Sequence, residues 1–132
     1  MIDLGRLIEY AVKRGASDLH LKVPAPPTIR LHGALESVPK CPGLTPADTA
    51  RFLAELTRDM PLKRREFEER GETDLSHARP GIGRFRVNAF RQRGSASIVM
   101  RAVPAQIPSL DELGLPKAVA RLADEERGII FV

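Results

Sequence analysis

The chain is 132 residues long, 42% apolar and 29% charged, the balance of one folded domain rather than a disordered segment. Its single cysteine, Cys41, excludes an intramolecular disulfide and a multi-cysteine zinc site. No apolar run approaches the ~18 residues of a membrane span and no basic-then-apolar leader opens the chain, so a soluble cytoplasmic protein is expected.

Leu4, Leu7, Ile8, Ala11 and Val12 recur at helical spacing, which predicts a helix from about Ile2 to Arg14 with Gly15 as its stop. Asp18 to Val23 alternates with period two and reads as a strand with Leu19, Leu21 and Val23 inward; Pro24 to Pro27 break it. Thr28–His32 and Leu35–Val38 flank Gly33-Ala34 as a hairpin. Thr45-Pro46-Ala47-Asp48 is a helix start, and that helix is expected to reach about Asp59. Pro61 opens a further helix through Arg70, with Gly71 as its stop. Thr73–His77 reads as a strand, and Pro80-Gly81-Ile82-Gly83 as a turn.

Two strong strands follow, Arg84–Arg91 and Ala96–Val103, each alternating apolar with polar or charged positions. Beyond Pro104, Ser109–Leu113 and Pro116–Ala123 read as short helices and Ile129–Val132 as a strand buried on both faces. Such a strand needs neighbours, which implies that the chain was cut from something longer. The order α-β-β-β-α-α-β-β-β is α+β: an antiparallel sheet with helices packed on one side.

The net charge of +4 is unevenly placed. Leu75 to Leu110 holds no Asp, Glu or Lys, but it holds Arg79, Arg84, Arg86, Arg91, Arg93 and Arg101. A two-residue turn at Arg93-Gly94 sets Phe85 against Ala102, Val87 against Met100 and Ala89 against Ile98, an entirely apolar face. The opposite face then sets Arg86 directly against Arg101, with Arg84 two residues along. Like charges at opposed sheet positions repel by a few tenths to about 1 kcal/mol. Removing either arginine is therefore expected not to destabilise the domain. A solvated basic face is one reading of this pair and a phosphate clamp the other. The acid-free window favours the clamp, since guanidinium matches phosphate oxygens in a bidentate fork.

Other chemistry is sparse. No Gly-x-x-x-x-Gly-Lys-Ser/Thr occurs, so the chain has no phosphate-binding loop of its own. Asp18 and His20 share a strand face but lack a third ligand, and read as a hydrogen-bonded structural pair rather than a metal site. Cys41 has no evident base, and no catalytic acid–base pair stands out. With no Trp, one Tyr and five Phe, the chain is too poor in aromatics for an extended base-stacking platform. A polyanion-binding module built on the arginine hairpin is the rival reading, and a salt-dependent gel shift would favour it.

Gly15-Ala16-Ser17-Asp18-Leu19-His20-Leu21 resembles the opening of secretion and pilus motor ATPases. Pro26-Pro27-x-Ile29-Arg30-x-x-Gly33 follows at the family's spacing. Glu72-Thr73-Asp74-x-Ser76, Arg84-Phe85-Arg86-Val87-Asn88-Ala89-Phe90 and Asp111-Glu112-Leu113-Gly114-Leu115 resemble the PilT-like type IV pilus retraction (twitching motility) branch of that superfamily. The resemblance implies a PAS-like N-terminal domain over residues 1–103. Residues 104–132 would then be linker helices and the first strand of a truncated RecA-like ATPase domain. It implies a homohexamer in which this domain meets its own C-terminal motor domain, neighbouring subunits and a pilus inner-membrane platform protein. The location would be cytoplasmic, peripheral at the inner-membrane base of the pilus, with no nucleic acid as partner. ATP and Mg2+ would belong to the full-length parent, and this fragment alone would hold neither and hydrolyse nothing. Arg86 and Arg101 match the family's nucleotide-phosphate contacts, with Arg84 and Arg93 weaker candidates by proximity; no catalytic or metal-binding residue is implied here. A pilus-extension or type II secretion ATPase is the alternative branch.

Overall fold

The computed structural model describes residues 2–104 and 106–131. Helix α1 (Leu4–Lys13) starts where the Asp3 carboxylate accepts the Arg6 N–H, and it buries Leu4, Leu7, Ile8 and Ala11. Strand β1 (Asp18–Leu21) leads to the hairpin β2 (Thr28–Leu31) and β3 (Ala34–Ser37). The turn of that hairpin falls on His32-Gly33, one residue earlier than the sequence suggests. Both residues take the positive φ values that a tight two-residue turn requires (47° and 86°), so His32 serves in a place that Ala34 could not.

Helix α2 (Pro46–Leu56) opens on a capping box between Thr45 and Asp48 and buries Thr49, Phe52, Leu53 and Leu56. It ends three residues short of Asp59, because the Thr57 hydroxyl donates to the Leu53 carbonyl and the chain turns there. Helix α3 (Pro61–Arg70) runs as the sequence indicates and stops at Gly71 in the left-handed conformation. Strand β4 (Glu72–Arg79) is longer than its apolar pattern, because it pairs with β5 (Gly83–Gln92) along its full length. Strand β6 (Ser95–Val103) completes the meander. Helix α4 (Lys117–Ala123) has no buried residue.

All six strands join one antiparallel sheet in the order β3-β2-β1-β6-β5-β4. One face carries Leu19, Leu21, Ile29, Leu31, Leu75, Phe85, Val87, Ala89, Ile98 and Met100, which share a single core with the buried residues of α1, α2 and α3. The other face is open and polar, which gives the α+β sheet with helices on one side that the sequence predicts.

Two expectations fail beyond β6. Ser109–Leu113 is a turn rather than a helix: Ser109 and Glu112 form the cap, but no apolar face is buried to extend it. Residues 129–131 form no strand, since no ladder partner stands beside them among the described residues; Val132 lies outside those residues. Among the described residues no helix is long and apolar enough to cross a membrane.

Candidate functional site

The strand registers compose the open face row by row. In one row Leu35 stands on β3, Arg30 on β2, Asp18 on β1, Arg101 on β6, Arg86 on β5 and Ser76 on β4. At ~4.8 Å per strand, three guanidinium-bearing positions fall within about 14 Å, with a carboxylate between two of them. The next row carries Asp74, Asn88, Val99, His20 and Thr28.

The Arg86–Arg101 opposition read from the sequence is therefore present, in the register that sequence arithmetic gives. The turn residues Arg93 and Gly94 adopt φ values of 50° and 81°, as a two-residue hairpin demands. Both arginines are exposed and line a cleft of about 280 Å3 with Asp74, Asn88 and Val99. Arg84 adjoins it, lining a second depression with Lys63, Ser76 and Arg86. Arg93 does not: it sits at the hairpin tip, seven residues or about 23 Å along the strand from Arg86.

The sequence misses Asp18 as a partner of this cluster. Its side chain is only 4% exposed although it stands on the open face, because two arginines cover it. Arg101 donates from Nε to Asp18 Oδ1 at 2.8 Å, Arg30 Nε lies 3.4 Å from Oδ2, and the Ser17 hydroxyl donates to Oδ2. The acid-free window thus has its counter-charge, delivered by a strand 83 residues earlier. The expectation that Arg101 could be removed without cost is corrected by this pair. Arg86 has no carboxylate within salt-bridge distance among the described residues, so for Arg86 the expectation stands. Arg30 is the third cation of the row. Its alternation with buried Ile29 and Leu31 was the available signal that it faces outward.

Burial alone would raise the Asp18 pKa. The hydrogen bonds from Arg101 and Ser17, and the charge of Arg101, outweigh burial and hold the carboxyl below its ordinary value of 3.8. The unfolded chain then binds the extra proton across that interval. The contribution of Asp18 to stability is complete above the ordinary value and is lost as the pH falls through the lowered one. Urea unfolding from about pH 7 to about pH 2 is expected to show Asp18→Asn losing less stability below about pH 4 than the wild type. Parallel curves would show that Asp18 gains nothing from its partners.

His20 does not bond to Asp18. Burial, partly opposed by the Asp18 charge, lowers its pKa, so the ring is neutral at neutral pH, and its Nε2 is buried without a hydrogen-bond partner among the described residues. His32 lies in a turn and His77 on the helix-covered face, opposite Phe85. Among the described residues no three His, Cys, Asp or Glu side chains gather in a way that could hold a metal. Cys41 borders a separate cavity of about 890 Å3, whose carboxylates Asp3 and Asp48 are both committed to helix caps, so neither offers it a free base.

No family model matches the chain. The chain is 37% identical over 131 residues to PilT, the type IV pilus retraction ATPase of Pseudomonas aeruginosa, covering 99% of this chain and 37% of that protein. It is 34% identical over 130 residues to PilU, a type IV pilus ATPase of the same organism, covering 98% of this chain and 33% of that protein. A crystal structure of the pilus retraction motor PilT with bound ADP superposes with a TM-score of 0.82 at 38% identity, over 95% of this chain and 36% of that one. The chain spans about a third of the length of the curated relatives it matches.

Proposed function

We propose that this chain, a homologue of the PilT and PilU pilus ATPases over nearly its whole length, serves as the N-terminal domain of a type IV pilus retraction ATPase and supplies arginines to the nucleotide phosphates of the motor. The observation that carries the proposal is the direct opposition of Arg86 and Arg101 on the open face. Two guanidinium groups held side by side against their own repulsion suit a polyphosphate, which can take a bidentate fork from each. The chain has no P-loop, so the nucleotide and its Mg2+ would be held by a motor domain. The PilT structure that the chain matches carries ADP, in keeping with this arrangement.

In this reading residues 1–103 are the domain proper and 104–132 connect it to the motor. The described side chains after β6 are almost all exposed, which supports a connecting role. The arginines would reach a site completed by the motor domain, within a homohexameric ring on the cytoplasmic side of the inner membrane, where a platform protein of the pilus is the expected partner. A swing of this domain towards the motor would bring the guanidinium groups to the phosphates and couple closure to turnover.

Arginine-selective labelling with phenylglyoxal tests this in the full-length protein, read by mass spectrometry with and without a non-hydrolysable ATP analogue. Arg86 and Arg101 are expected to be protected by the nucleotide, and Arg93, at the hairpin tip, to label equally in both states. Equal labelling of Arg86 with and without nucleotide would overturn the proposal.

A further inference from the structure

We infer that Asp18 is a positioning residue of the arginine row: it holds Arg101 by Nε alone and so presents the outer guanidinium nitrogens beside Arg86. The inference rests on the phosphate reading of Arg86 and Arg101 given above.

Several observations point the same way. Asp18 is almost wholly buried, yet it sits on the open face, at the one position from which it can touch both Arg30 and Arg101. Its carboxylate is shared between them, one oxygen to each, and the Ser17 hydroxyl anchors the second oxygen. The bond to Arg101 uses Nε, and neither Nη atom of Arg101 has a hydrogen-bond partner among the described residues. A fork directed at a phosphate needs the Nη atoms and can spare Nε. Arg30 is held on its other side by the Gly33 carbonyl, which accepts from Nη1, so the Asp18–Arg30 contact is itself braced. Without the carboxylate, Arg101 would be a long side chain beside two like charges and would swing away from both.

Two roles of a carboxylate among arginines predict opposite signs. If Asp18 only neutralises charge, removing it makes the face more positive and tightens phosphate binding. If it orients Arg101, removing it weakens phosphate binding although the face becomes more positive.

The test titrates the 132-residue chain with inorganic tripolyphosphate by calorimetry at low ionic strength. In parallel, NMR follows the Arg101 Nε–H signal, whose exchange with water the Asp18 bond should slow. Arg86→Ala and Arg101→Ala are each expected to weaken binding about tenfold. Asp18→Ala is expected to weaken it several-fold and to abolish the slow-exchanging Nε–H signal. Asp18→Asn keeps an oxygen that can accept from Arg101 Nε, and is expected to keep the signal and bind at least as tightly as the wild type.

If the two arginine variants weaken binding while Asp18→Ala binds as well as or better than the wild type, Asp18 merely neutralises charge and this inference falls alone. If the arginine variants bind like the wild type, the phosphate reading falls and takes the inference with it. Should Asp18→Ala not fold, Asp18→Glu decides, because it keeps the charge and displaces the carboxylate by one methylene. Binding several-fold weaker than the wild type supports orientation, and wild-type binding overturns it.

Discussion

On the function proposed above, Arg86→Ala in the full-length protein is expected to lower ATP turnover by on the order of 10³-fold, the lower end of what a phosphate-directed arginine contributes to phosphoryl transfer. Arg101→Ala is expected to act in the same range. The argument starts from the register: both side chains leave the sheet at one level, from neighbouring strands, on the face without helices. Each guanidinium would meet charge that grows on the phosphate oxygens as the bond breaks, so its loss would appear mainly in kcat rather than in KM. Arg86→Lys is expected to fail nearly as badly, because an ammonium keeps the charge but cannot make the planar fork. A solvated basic face predicts wild-type turnover for the Ala variants and equivalence of Lys and Arg. Steady-state hydrolysis by the three variants separates the readings, and wild-type rates for both Ala variants would remove the clamp.

Arg101→Ala is also expected to cost the isolated chain about 2 kcal/mol of folding stability, while Arg86→Ala changes it by less than about 0.5 kcal/mol or stabilises slightly. The two residues look equivalent in sequence and differ in what stands beside them. Removing Arg101 leaves the nearly buried carboxylate of Asp18 with only Arg30 and Ser17. A buried acceptor stripped of its charged donor loses more than an exposed pair would, but the exposure of Arg101 itself keeps the figure below that of a fully buried bridge. Removing Arg86 takes away the like charge opposite Arg101 and no salt bridge among the described residues. Urea denaturation of the two variants side by side reads the difference. Equal destabilisation would mean that the Asp18 contact contributes nothing. The same asymmetry bears on the kinetic test, since Arg101→Ala must be assayed at a temperature where it remains folded.

What could be read in the chain before its structure follows the range of the forces involved. The β5–β6 hairpin was legible because Arg93-Gly94 fixes a two-residue turn, and the turn fixes every pairing behind it, Arg86 with Arg101 included. The helix starts at Thr45 and Pro61 were legible because their signals are local: the Thr45–Asp48 capping box closes within one turn, and Pro61 presets φ for the first helical residue without a side-chain cap. The Asp18–Arg101 bond was not. It depends on β1 choosing β6 as its neighbour, and a strand of four residues carries no local mark of which strand it will adjoin. Acid content along a stretch of sequence therefore says little about the counter-charge of a sheet face, because neighbouring strands arrive from elsewhere. Ser109–Leu113 shows the converse: the cap residues are present and bond as predicted, but without an apolar surface to cover, a cap alone does not sustain a helix.

The strand order also has a kinetic side. The β4-β5-β6 meander joins neighbours in sequence, and β1-β2-β3 does the same, so each half can form through short loops. Within the sheet of the described residues the two halves meet where β1 pairs with β6, a closure spanning about 80 residues. Such long-range pairings are the slow events of folding, because the chain entropy of the intervening loop is lost before the contact returns any of it. During synthesis, β1 would wait with one edge open until residues 98–101 emerged. The row from Arg30 through Asp18 and Arg101 to Arg86 straddles that seam and exists only after it has closed. The Arg86–Arg101 pair can form with its own hairpin, but Arg101 meets Asp18 only once the seam has closed, so a chain folded short of that closure would carry the pair without its buried counter-charge.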